Sequence, residues 1–371
     1  MRILQISSAR NFGGGERHVV DLCRGLQERG HEVFAAIRPT CDWQNRLDFL
    51  PAANILSVSI RNSFGVLSAI RMAEFARENK IDILHAHVAR DYIPTSIACM
   101  KAKEARFVLT RHVLFPLKPF NRFALKNVAA AIGVSDAVGT ALRSVFPRDR
   151  IAVIPNGIDI RRMAAENDAD AGARFREFHG LPDDVPLVTT LGELKELKGQ
   201  RDFVMAANEI AKKVPNCRFV VVGVDNTLEK SFRRELRRLV SVFGLEDRFL
   251  WLDWLDDTAP FFAATDVFVS PSHSESFGLA ILEAMARGKA VVATETEGAK
   301  QLLQECGRLV TINDPVSLAD AVAEVLADAD MRKKMGISGS ETAAGLYSLE
   351  AMLDATEKLY EKVTGKHDAA A

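Results

Sequence analysis

Two glutamates eight positions apart, Glu275 and Glu283, flank a loop that leads into a short predicted helix. Between them, Phe277, Gly278 and Leu279 open this helix, and the first backbone N–H groups of a helix have no intrahelical partner. These groups and the positive end of the helix macrodipole both favour a phosphate. Carboxylates beside them can accept hydrogen bonds from sugar hydroxyls. The spacing therefore predicts a site for a sugar nucleotide.

A second candidate site lies at residues 11–17, Asn-Phe-Gly-Gly-Gly-Glu-Arg, which follow the first predicted strand and open a helix. Three successive glycines let the backbone approach a ligand closely, although a plain tight turn is the alternative. The dinucleotide fingerprint Gly-x-Gly-x-x-Gly, counted from Gly13, fails because its last position is His18. No carboxylate ends the second predicted strand to hold a ribose. The loop therefore argues against a nicotinamide enzyme.

Two histidines, His85 and His87, end a predicted apolar strand, and alternation places both imidazoles on one face. Arg111 and His112 end the next strand in the same way. A histidine pair at this spacing can ligate zinc, but the sequence offers no third ligand of suitable spacing. We therefore predict a polar role for these residues at the edge of the sheet.

Lys198 and Gly199 follow the first predicted strand of the second half, at a predicted helix start. A lysine there can reach a diphosphate as a point charge. Two Asp-x-Asp triplets, Asp168–Asp170 and Asp328–Asp330, resemble a metal-binding motif of other transferases. Neither triplet follows a strand, and both lie in alanine-rich polar stretches, so we predict no catalytic metal.

Short β-branched strands alternate with amphipathic helix patterns along the whole chain, which predicts two Rossmann-like parallel sheets in tandem. Turn residues at positions 155–159, Pro-Asn-Gly-Ile-Asp, end the first series of strands. A last strong helix is predicted at residues 349–363. Ligands of such sheets bind at the carboxyl ends of the strands, where the candidate residues lie.

The chain has 371 residues, of which 48% are hydrophobic and 26% charged, which suits two globular domains. No apolar run is long enough for a membrane span, and the N-terminus lacks a signal-peptide pattern. Five scattered cysteines indicate reduced thiols in the cytosol. Basic residues exceed acidic ones up to residue 165, and the reverse holds afterwards. This asymmetry predicts an anionic partner for the first half, unless it is chance scatter over solvated faces.

Together these motifs resemble the retaining GT-B glycosyltransferases, in particular glycosyltransferase family 4. The resemblance covers nearly the whole chain and rests on five motifs in order: Gly14-Gly15-Glu16-Arg17, the His-x-His strand end, Pro155–Asp159, Lys198-Gly199 and Glu275-x7-Glu283. It implies an α/β GT-B fold, with two Rossmann-like domains that face each other across a cleft. Residues 1–163 would bind the acceptor and residues 164–347 the donor. The C-terminal helix, about residues 348–371, would pack back on the first domain.

The resemblance also implies a role for each candidate residue. The residues implied in catalysis are His87, under the sugar, Lys198, on the diphosphate, and Glu275, on the sugar hydroxyls. Those implied in donor binding are Gly14, Gly15, Phe277, Gly278, Leu279, Glu283 on the ribose, and Gly223 and Leu255 near the base. The acceptor-side candidates are Glu16, Arg111 and His112.

The implied reaction transfers a hexose from a UDP- or GDP-sugar, with retention of configuration and without a metal or other cofactor. The leaving phosphate would take the acceptor's proton on the same face of the sugar. The acceptor would be a glycan or lipid-linked cell-envelope molecule, as in lipopolysaccharide biosynthesis. We expect a cytoplasmic protein that binds no nucleic acid and associates peripherally with an anionic membrane through its basic first domain.

One position departs from the family pattern. The family usually has arginine after the glycine of Gly-Arg-Leu-x-x-x-Lys-Gly, where this chain has Glu193. Lys195 substitutes for that arginine, or Glu193 points away, or the phosphate is held differently. Two alternative functions remain open: a non-catalytic protein that binds nucleotide sugars, and a sugar-nucleotide epimerase.

Overall fold

The computed structural model describes residues 1–60, 65–165 and 170–366, without the side chains of residues 164 and 165. The chain forms two compact units, Met1–Gly157 with Leu349–Ala371, and Ile158–Ser348. The first unit ends at Gly157, whereas the sequence predicts its end at residue 163, and the backbone N–H of Ile158 donates to the carbonyl of Tyr347 in the second unit at 3.0 Å. Of the predicted Asp-x-Asp triplets, Asp168 lies outside the described residues.

The first unit contains a parallel sheet, whose order is β3-β2-β1-β4-β5-β6-β7 in the part of the chain described. Its strands are β1 (Arg2–Ser7), β2 (Glu32–Ile37), β3 (Ile55–Ser57), β4 (Ile83–Ala86), β5 (Arg106–Arg111), β6 (Val128–Gly133) and β7 (Ile151–Val153). Its helices are α1 (Gly14–Glu28), α2 (Val66–Glu78), α3 (Tyr92–Ala102), α4 (Asn121–Ala124), α5 (Asp136–Leu142) and α15 (Leu349–Thr364). The strand order reverses between β1 and β4, and a sheet of this kind binds ligands at that switch point.

The second unit repeats this architecture, with the order β10-β9-β8-β11-β12-β13 among its described strands. The strands are β8 (Leu187–Leu191), β9 (Arg218–Val222), β10 (Phe249–Leu252), β11 (Val267–Ser270), β12 (Ala290–Thr294) and β13 (Arg308–Val310). The helices are α6 (Ile160–Ala165), α7 (Ala171–Phe178), α8 (Gln200–Lys213), α9 (Ser231–Val242), α10 (Ala259–Ala264), α11 (Leu279–Ala286), α12 (Glu297–Leu303), α13 (Pro315–Ala327) and α14 (Ala329–Leu346). Here the order reverses between β8 and β11, the strands that precede Lys198 and Glu275.

The sheets are buried on both faces, as the near-continuous apolar strands predict. All residues of β11 and β12 are buried, as are those of β1 after Arg2. Among the described helices, none is both long and apolar enough to span a bilayer.

The C-terminal helix α15 belongs to the first unit, although it follows the second in the chain. It packs against α1, where Gly25 lies so close to Leu353 that a Cβ on Gly25 would come within 2.4 Å of that side chain. Arg29, which follows the last residue of α1, forms ion pairs with Asp354, at 2.7 Å, and with Glu357. The helix thereby brings Tyr360 beneath the sheet of the first unit, where the hydroxyl is wholly buried.

The second Asp-x-Asp triplet has a structural explanation. Asp328 caps α14, because its carboxylate accepts from the backbone N–H of Met331 at 2.8 Å. Asp330 follows in the first turn of the same helix, where a negative charge is favourable.

Substitution of Leu282 in α11 tests how tightly the core beside the predicted phosphate site is packed. Its side chain is fully buried, so Leu282→Ala should lower the free energy of unfolding of the second unit by about 2–5 kcal/mol. Leu228→Ala is the matched control, since Leu228 belongs to the same unit and is 87% exposed. Denaturant unfolding of the two variants measures both free energies. Equal losses in the two variants would contradict the packing described here.

Candidate functional site

Two predicted residues of the second unit, Lys198 and Glu275, form an ion pair. Lys198 ends a 3₁₀ turn after β8, and Glu275 lies in the loop between β11 and α11. The Lys198 Nζ donates to Glu275 Oε2, although the two residues are 77 positions apart. Both side chains are largely buried, at 26% and 16% exposed. Opposite charges therefore meet at the carboxyl edge of the sheet, where water screens them only in part.

The loop that carries Glu275 is held rigidly in front of α11. Gly278 adopts φ +100°, which a side chain would strain, and so turns the chain into the helix at Leu279. The backbone N–H of Gly298 donates to the Glu275 carbonyl at 2.9 Å. Phe277 is buried and its ring lies 5.7 Å from that of Tyr347. The amides at the start of α11 are therefore fixed close to the carboxylate of Glu275.

The other predicted donor residues lie at the same edge of the second unit. Glu283 is 3% exposed, one turn inside α11, and the hydroxyl of Thr258 donates to its Oε2 at 3.3 Å. Gly223 follows β9, and a Cβ there would lie 2.0 Å from the carbonyl oxygen of Gly192. Leu255 is half-buried in the segment after β10. The structure thus places these residues after neighbouring strands, or in the helix that follows one.

Glu193 is neutralised by its neighbours. Its Oε2 accepts from Lys195 Nζ at 2.6 Å, and its Oε1 accepts from the Asn226 amide at 3.1 Å. Burial raises the pKa of Glu193, but these hydrogen bonds outweigh burial and hold it below the ordinary value. Lys195 is therefore occupied by Glu193, and the cation that pairs with Glu275 is Lys198.

Gly199 fixes the position of Lys198 and offers a direct test of this arrangement. Its φ is +67°, and a Cβ would lie 1.9 Å from the carbonyl oxygen of Pro271. Gly180 has a similar φ of +65° with nothing within 4 Å of such a Cβ. Gly180→Ala therefore introduces backbone strain alone, at about 1–2 kcal/mol, whereas Gly199→Ala adds a backbone collision.

We expect Gly199→Ala to destabilise the second unit by about 1–3 kcal/mol more than Gly180→Ala, because overpacking forces the backbone to shift. Denaturant unfolding of both variants measures the difference. If the two variants lost the same stability, the close approach to Pro271 would be refuted.

In the first unit, His87 and His112 meet at the carboxyl ends of β4 and β5. His87 Nδ1 lies 3.4 Å from His112 Nε2, and the planes of the two rings are close to parallel. The Nε2 of His87 lies 2.8 Å from Oε1 of Gln5. Because an amide oxygen only accepts, Nε2 carries the proton, and Nδ1 accepts from His112 Nε2.

A buried hydrogen-bond network continues from Gln5 to the C-terminal helix. The Gln5 amide donates to the Tyr360 hydroxyl at 3.2 Å, which lies 2.6 Å from His85 Nδ1. His85 Nε2 in turn lies 2.7 Å from the hydroxyl of Thr110. Sequence reasoning missed Gln5 and Tyr360. A polar residue inside an apolar strand was the only signal for Gln5, and Tyr360 is 355 positions away from it.

A third histidine, His18 of α1, completes a cluster with His87 and His112, in which one ring nitrogen of each lies within 4.8 Å of the others. Sequence spacing does not identify His18 as a third member of this group. His18 is buried on the apolar side of α1, next to Val19 and Val20. Helical periodicity marks such a position as core, which hides its contact with the rings of His87 and His112.

Burial keeps these imidazoles uncharged. It lowers the pKa of His18 to about 4, and the neighbouring Asn156 amide offsets the effect only in part. The pKa values of His85, His87 and His112 also lie well below the ordinary value, first because of burial and then because of nearby charges. At neutral pH the cluster therefore supplies neutral donors and acceptors.

The remaining predicted residues of the first unit differ in whether they lie near the histidine cluster. Gly14 and Gly15 begin α1, and a Cβ on Gly15 would lie 4.0 Å from the ring of His112. Glu16 lies in the first turn of α1, and burial raises its pKa. Arg111 is buried, and its guanidinium donates to the carbonyl of Phe115, so it holds the segment after β5 in place. The structure thus brings Gly15 to the histidines, whereas Arg111 bonds to backbone.

The sequence matches two family models. Residues 12–162 match the model described as Glycosyltransferase Family 4, and residues 185–328 match the model of glycosyl transferases group 1. Among curated relatives, the lipopolysaccharide core biosynthesis glycosyltransferase LpsE of Rhizobium meliloti is 30% identical over 347 residues. That alignment covers 92% of this chain and 94% of the relative.

Solved structures agree in fold over nearly the whole length. A glycosyltransferase from Rickettsia africae has a TM-score of 0.88 at 21% identity, with 99% of each chain covered. Anabaena HepE in complex with UDP and glucose has a TM-score of 0.87 at 21% identity, with 98% of this chain and 100% of the other covered. At this identity, the likeness demonstrates a common fold.

Proposed function

This chain belongs to glycosyltransferase family 4 and has the GT-B fold, and we propose that it is a retaining hexosyltransferase that uses a UDP- or GDP-sugar. The acceptor in this proposal is a glycan or lipid-linked component of the cell envelope. LpsE is named for lipopolysaccharide core biosynthesis, and HepE was solved with UDP and glucose, which support this choice.

The observation that carries the proposal is the ion pair of Lys198 and Glu275 in front of α11. A nucleoside diphosphate sugar presents negative oxygens next to neutral hydroxyls. Lys198 and the first amides of α11 offer donors to the diphosphate, while Glu275 offers an acceptor to the sugar hydroxyls. Glu283 lies one turn further along the helix, where it would accept from the ribose. In this proposal the diphosphate is bound by hydrogen-bond donors, and the hydroxyls of the sugar and the ribose are bound by carboxylate acceptors.

The chemistry needs charge stabilisation rather than a protein base. In the proposed reaction the bond from the sugar's anomeric carbon to the diphosphate breaks, and a bond to the acceptor oxygen forms on the same face. The acceptor's proton passes to the departing phosphate oxygen. Lys198 stabilises the negative charge that develops on that phosphate, which is the largest contribution available to such a site. In this proposal no metal is required.

We also assign roles in the proposed reaction to His87 and the neighbouring glycine loop of the first unit. With its Nε2 proton bonded to Gln5, His87 is held in one orientation by a buried partner. We assign it to the sugar ring, with Gly14 and Gly15 near the phosphate and Glu16, Arg111 and His112 on the acceptor side. The alternative of a non-catalytic protein rests on Glu193, and the pairing of that carboxylate with Lys195 favours the catalytic proposal.

Incubation with labelled UDP- and GDP-hexoses and lipid-linked envelope extracts tests the proposal. We expect label in the acceptor only when both substrates are present, and NMR coupling constants of the new linkage should match the donor's configuration. Conversion of the donor without acceptor would point to the epimerase instead. An inverted linkage would refute retention.

We further propose that the protein acts at the inner face of the membrane, where its first unit contacts anionic lipid. Phe115, Phe120 and Phe123 are exposed at 65%, 44% and 81%, and Lys118, Arg122 and Lys126 interleave with them in the sequence. Aromatic rings bury into the headgroup region, and cations attract anionic lipids. Localisation at the cytoplasmic leaflet follows from these two contributions.

Vesicle sedimentation provides the test. We expect binding to vesicles with anionic lipid, weakened by salt, and roughly tenfold weaker binding for Phe123→Ala, because that variant loses at least about 1.4 kcal/mol of apolar burial. Phe178→Ala is the matched control, since Phe178 is 84% exposed but belongs to the second unit. If binding depended neither on anionic lipid nor on salt, the proposed membrane contact would be refuted.

A further inference from the structure

The three imidazoles of His18, His87 and His112 converge from three different elements of the first unit. We propose that they form a binding site for one divalent transition-metal ion of the zinc class, with a fourth coordination position open to water or ligand. The transfer reaction proposed above does not require this ion, so the site is a separate property of the chain.

The distance between two of the nitrogens suits such an ion. Zinc binds imidazole nitrogen at about 2.0–2.1 Å in tetrahedral geometry, which places two ligand nitrogens about 3.3–3.4 Å apart. His87 Nδ1 and His112 Nε2 are 3.4 Å apart. The nitrogen of His18 lies within 4.8 Å of both, so in this proposal its ring moves towards the other two when the ion binds. Three protein ligands with an open fourth position are also the arrangement of catalytic rather than structural zinc sites.

The tautomer of His87 is the one that a ligand needs. Gln5 accepts the Nε2 proton at 2.8 Å, which leaves the lone pair of Nδ1 directed towards His112. Metal-binding histidines almost always donate their second N–H to an oxygen acceptor in this manner. Gln5 is itself fixed by its bond to Tyr360, so the orientation of His87 is set before any ion arrives.

His18 supplies an independent observation. Both of its ring nitrogens are buried without a hydrogen bond of normal geometry, and the same holds for Oδ1 of Asn156, whose amide is close enough to raise the pKa of His18. A buried polar group without a partner in a native fold needs an explanation. A bound ion would engage one nitrogen of His18, and a small movement would let the other N–H donate to Asn156. The same ion thus accounts for the unpaired atoms of both residues.

The chemistry of the set decides the class of ion. Imidazole nitrogens suit Zn²⁺, Cu²⁺ and Ni²⁺, whereas Mg²⁺ and Ca²⁺ prefer oxygen ligands. Since burial already keeps the three rings neutral, the ion does not have to displace protons from charged imidazoles. An ion held there would also occupy His87 and so inhibit transfer; this consequence rests on the proposed function, whereas the binding itself does not.

The test uses the full-length chain after treatment with a chelator, and it needs no substrate. Titration with Co²⁺ is followed by visible absorption, and equilibrium dialysis counts Zn²⁺ per chain. We expect one ion per chain with the intense absorption of a tetrahedral site. His18→Ala should weaken binding at least about 100-fold, and Asn156→Ala about 10–100-fold, as for a residue that orients a ligand.

His179→Ala serves as the control, because His179 belongs to the second unit and lies outside the cluster. His18→Gln, checked by circular dichroism, guards against a folding defect in His18→Ala. Loss of the ion in folded His18→Gln, with normal binding in His179→Ala, supports the proposal. Wild-type protein that binds no ion, or His18 variants that bind it as tightly as wild type, would overturn it.

Discussion

Lys198→Ala is expected to lower the rate of sugar transfer by about 10²–10³-fold while the fold stays intact, which is the typical effect of removing one electrostatic stabiliser. Lys198 is the cation held beside the start of α11, at the carboxyl edge of the second sheet. Without it, the charge that develops on the leaving diphosphate would be met by backbone amides alone. Steady-state kinetics with the identified donor gives the ratio of kcat/KM values.

Glu275→Ala should cause a loss of similar size, since the sugar hydroxyls would lose their acceptor and Lys198 its partner. Because the two side chains contact each other, the double variant should lose much less than the sum of the two single losses. The cycle therefore separates a shared role from two independent ones.

Lys195→Ala is the matched control for Lys198. Its Nζ also pairs with a glutamate, Glu193, but both side chains are more than 40% exposed. An exposed pair of this kind contributes about 0–1 kcal/mol. Near-normal activity of both Lys198→Ala and Glu275→Ala would refute the assignment of this site.

The second large expected effect is a loss of folding stability at acidic pH. Four histidines of the first unit, His18, His85, His87 and His112, have pKa values below that of an unfolded histidine. Below about pH 6.5 these histidines are protonated in the unfolded chain but stay neutral in the folded chain, so acid favours unfolding. Each such histidine contributes a loss of about 1.4 kcal/mol per pH unit until the folded pKa is reached.

Protonation of Asp91 changes the folding stability in the opposite direction as the pH falls. Burial raises its pKa to about 7, despite the backbone N–H of Ser8 that donates to it at 2.8 Å. The folded chain therefore keeps a proton between about pH 4 and 7 that the unfolded chain has released, so acid relieves this cost. Glu16, whose pKa burial also raises, acts in the same direction as Asp91. The four histidines outnumber these two carboxyl groups, and we expect a net loss of stability between pH 7 and 5, to which His18 alone contributes about 2 kcal/mol.

The fluorescence of Trp43 can follow this loss, since Trp43 is fully buried in the first unit. A variant with Trp251→Phe and Trp254→Phe removes the signal of the second unit. Denaturant midpoints should fall steeply from pH 7 to 5. Midpoints that stay constant over this range would contradict the burial of neutral imidazoles described here.

Local sequence patterns predict the fold of this chain well, because parallel sheets demand long apolar strands and amphipathic helices in alternation. The residues at the strand ends follow from the same pattern, since carboxyl ends of parallel strands share one edge. Lys198 and Glu275 are an example: each follows a strand of the second series, and the two strands, β8 and β11, are neighbours in the sheet.

The rest of the site depends on contacts that no local pattern records. His18 has the spacing of a core residue of α1, so its imidazole is indistinguishable from filler in the sequence. Tyr360 reaches Gln5 only because the C-terminal helix belongs to the first unit. The partners of the Glu193 carboxylate depend on side-chain rotamers, which place Lys195 and Asn226 on its two oxygens.

The most direct test of the proposed donor site is calorimetric titration of the protein with UDP and GDP. We predict one site for one of these nucleotides, with affinity at least tenfold lower in Lys198→Ala, because a charge-assisted contact contributes about 1.5–3 kcal/mol. Lys195→Ala should bind as wild type does. Wild-type protein that binds neither nucleotide, or Lys198→Ala that binds as tightly as wild type, would contradict the account.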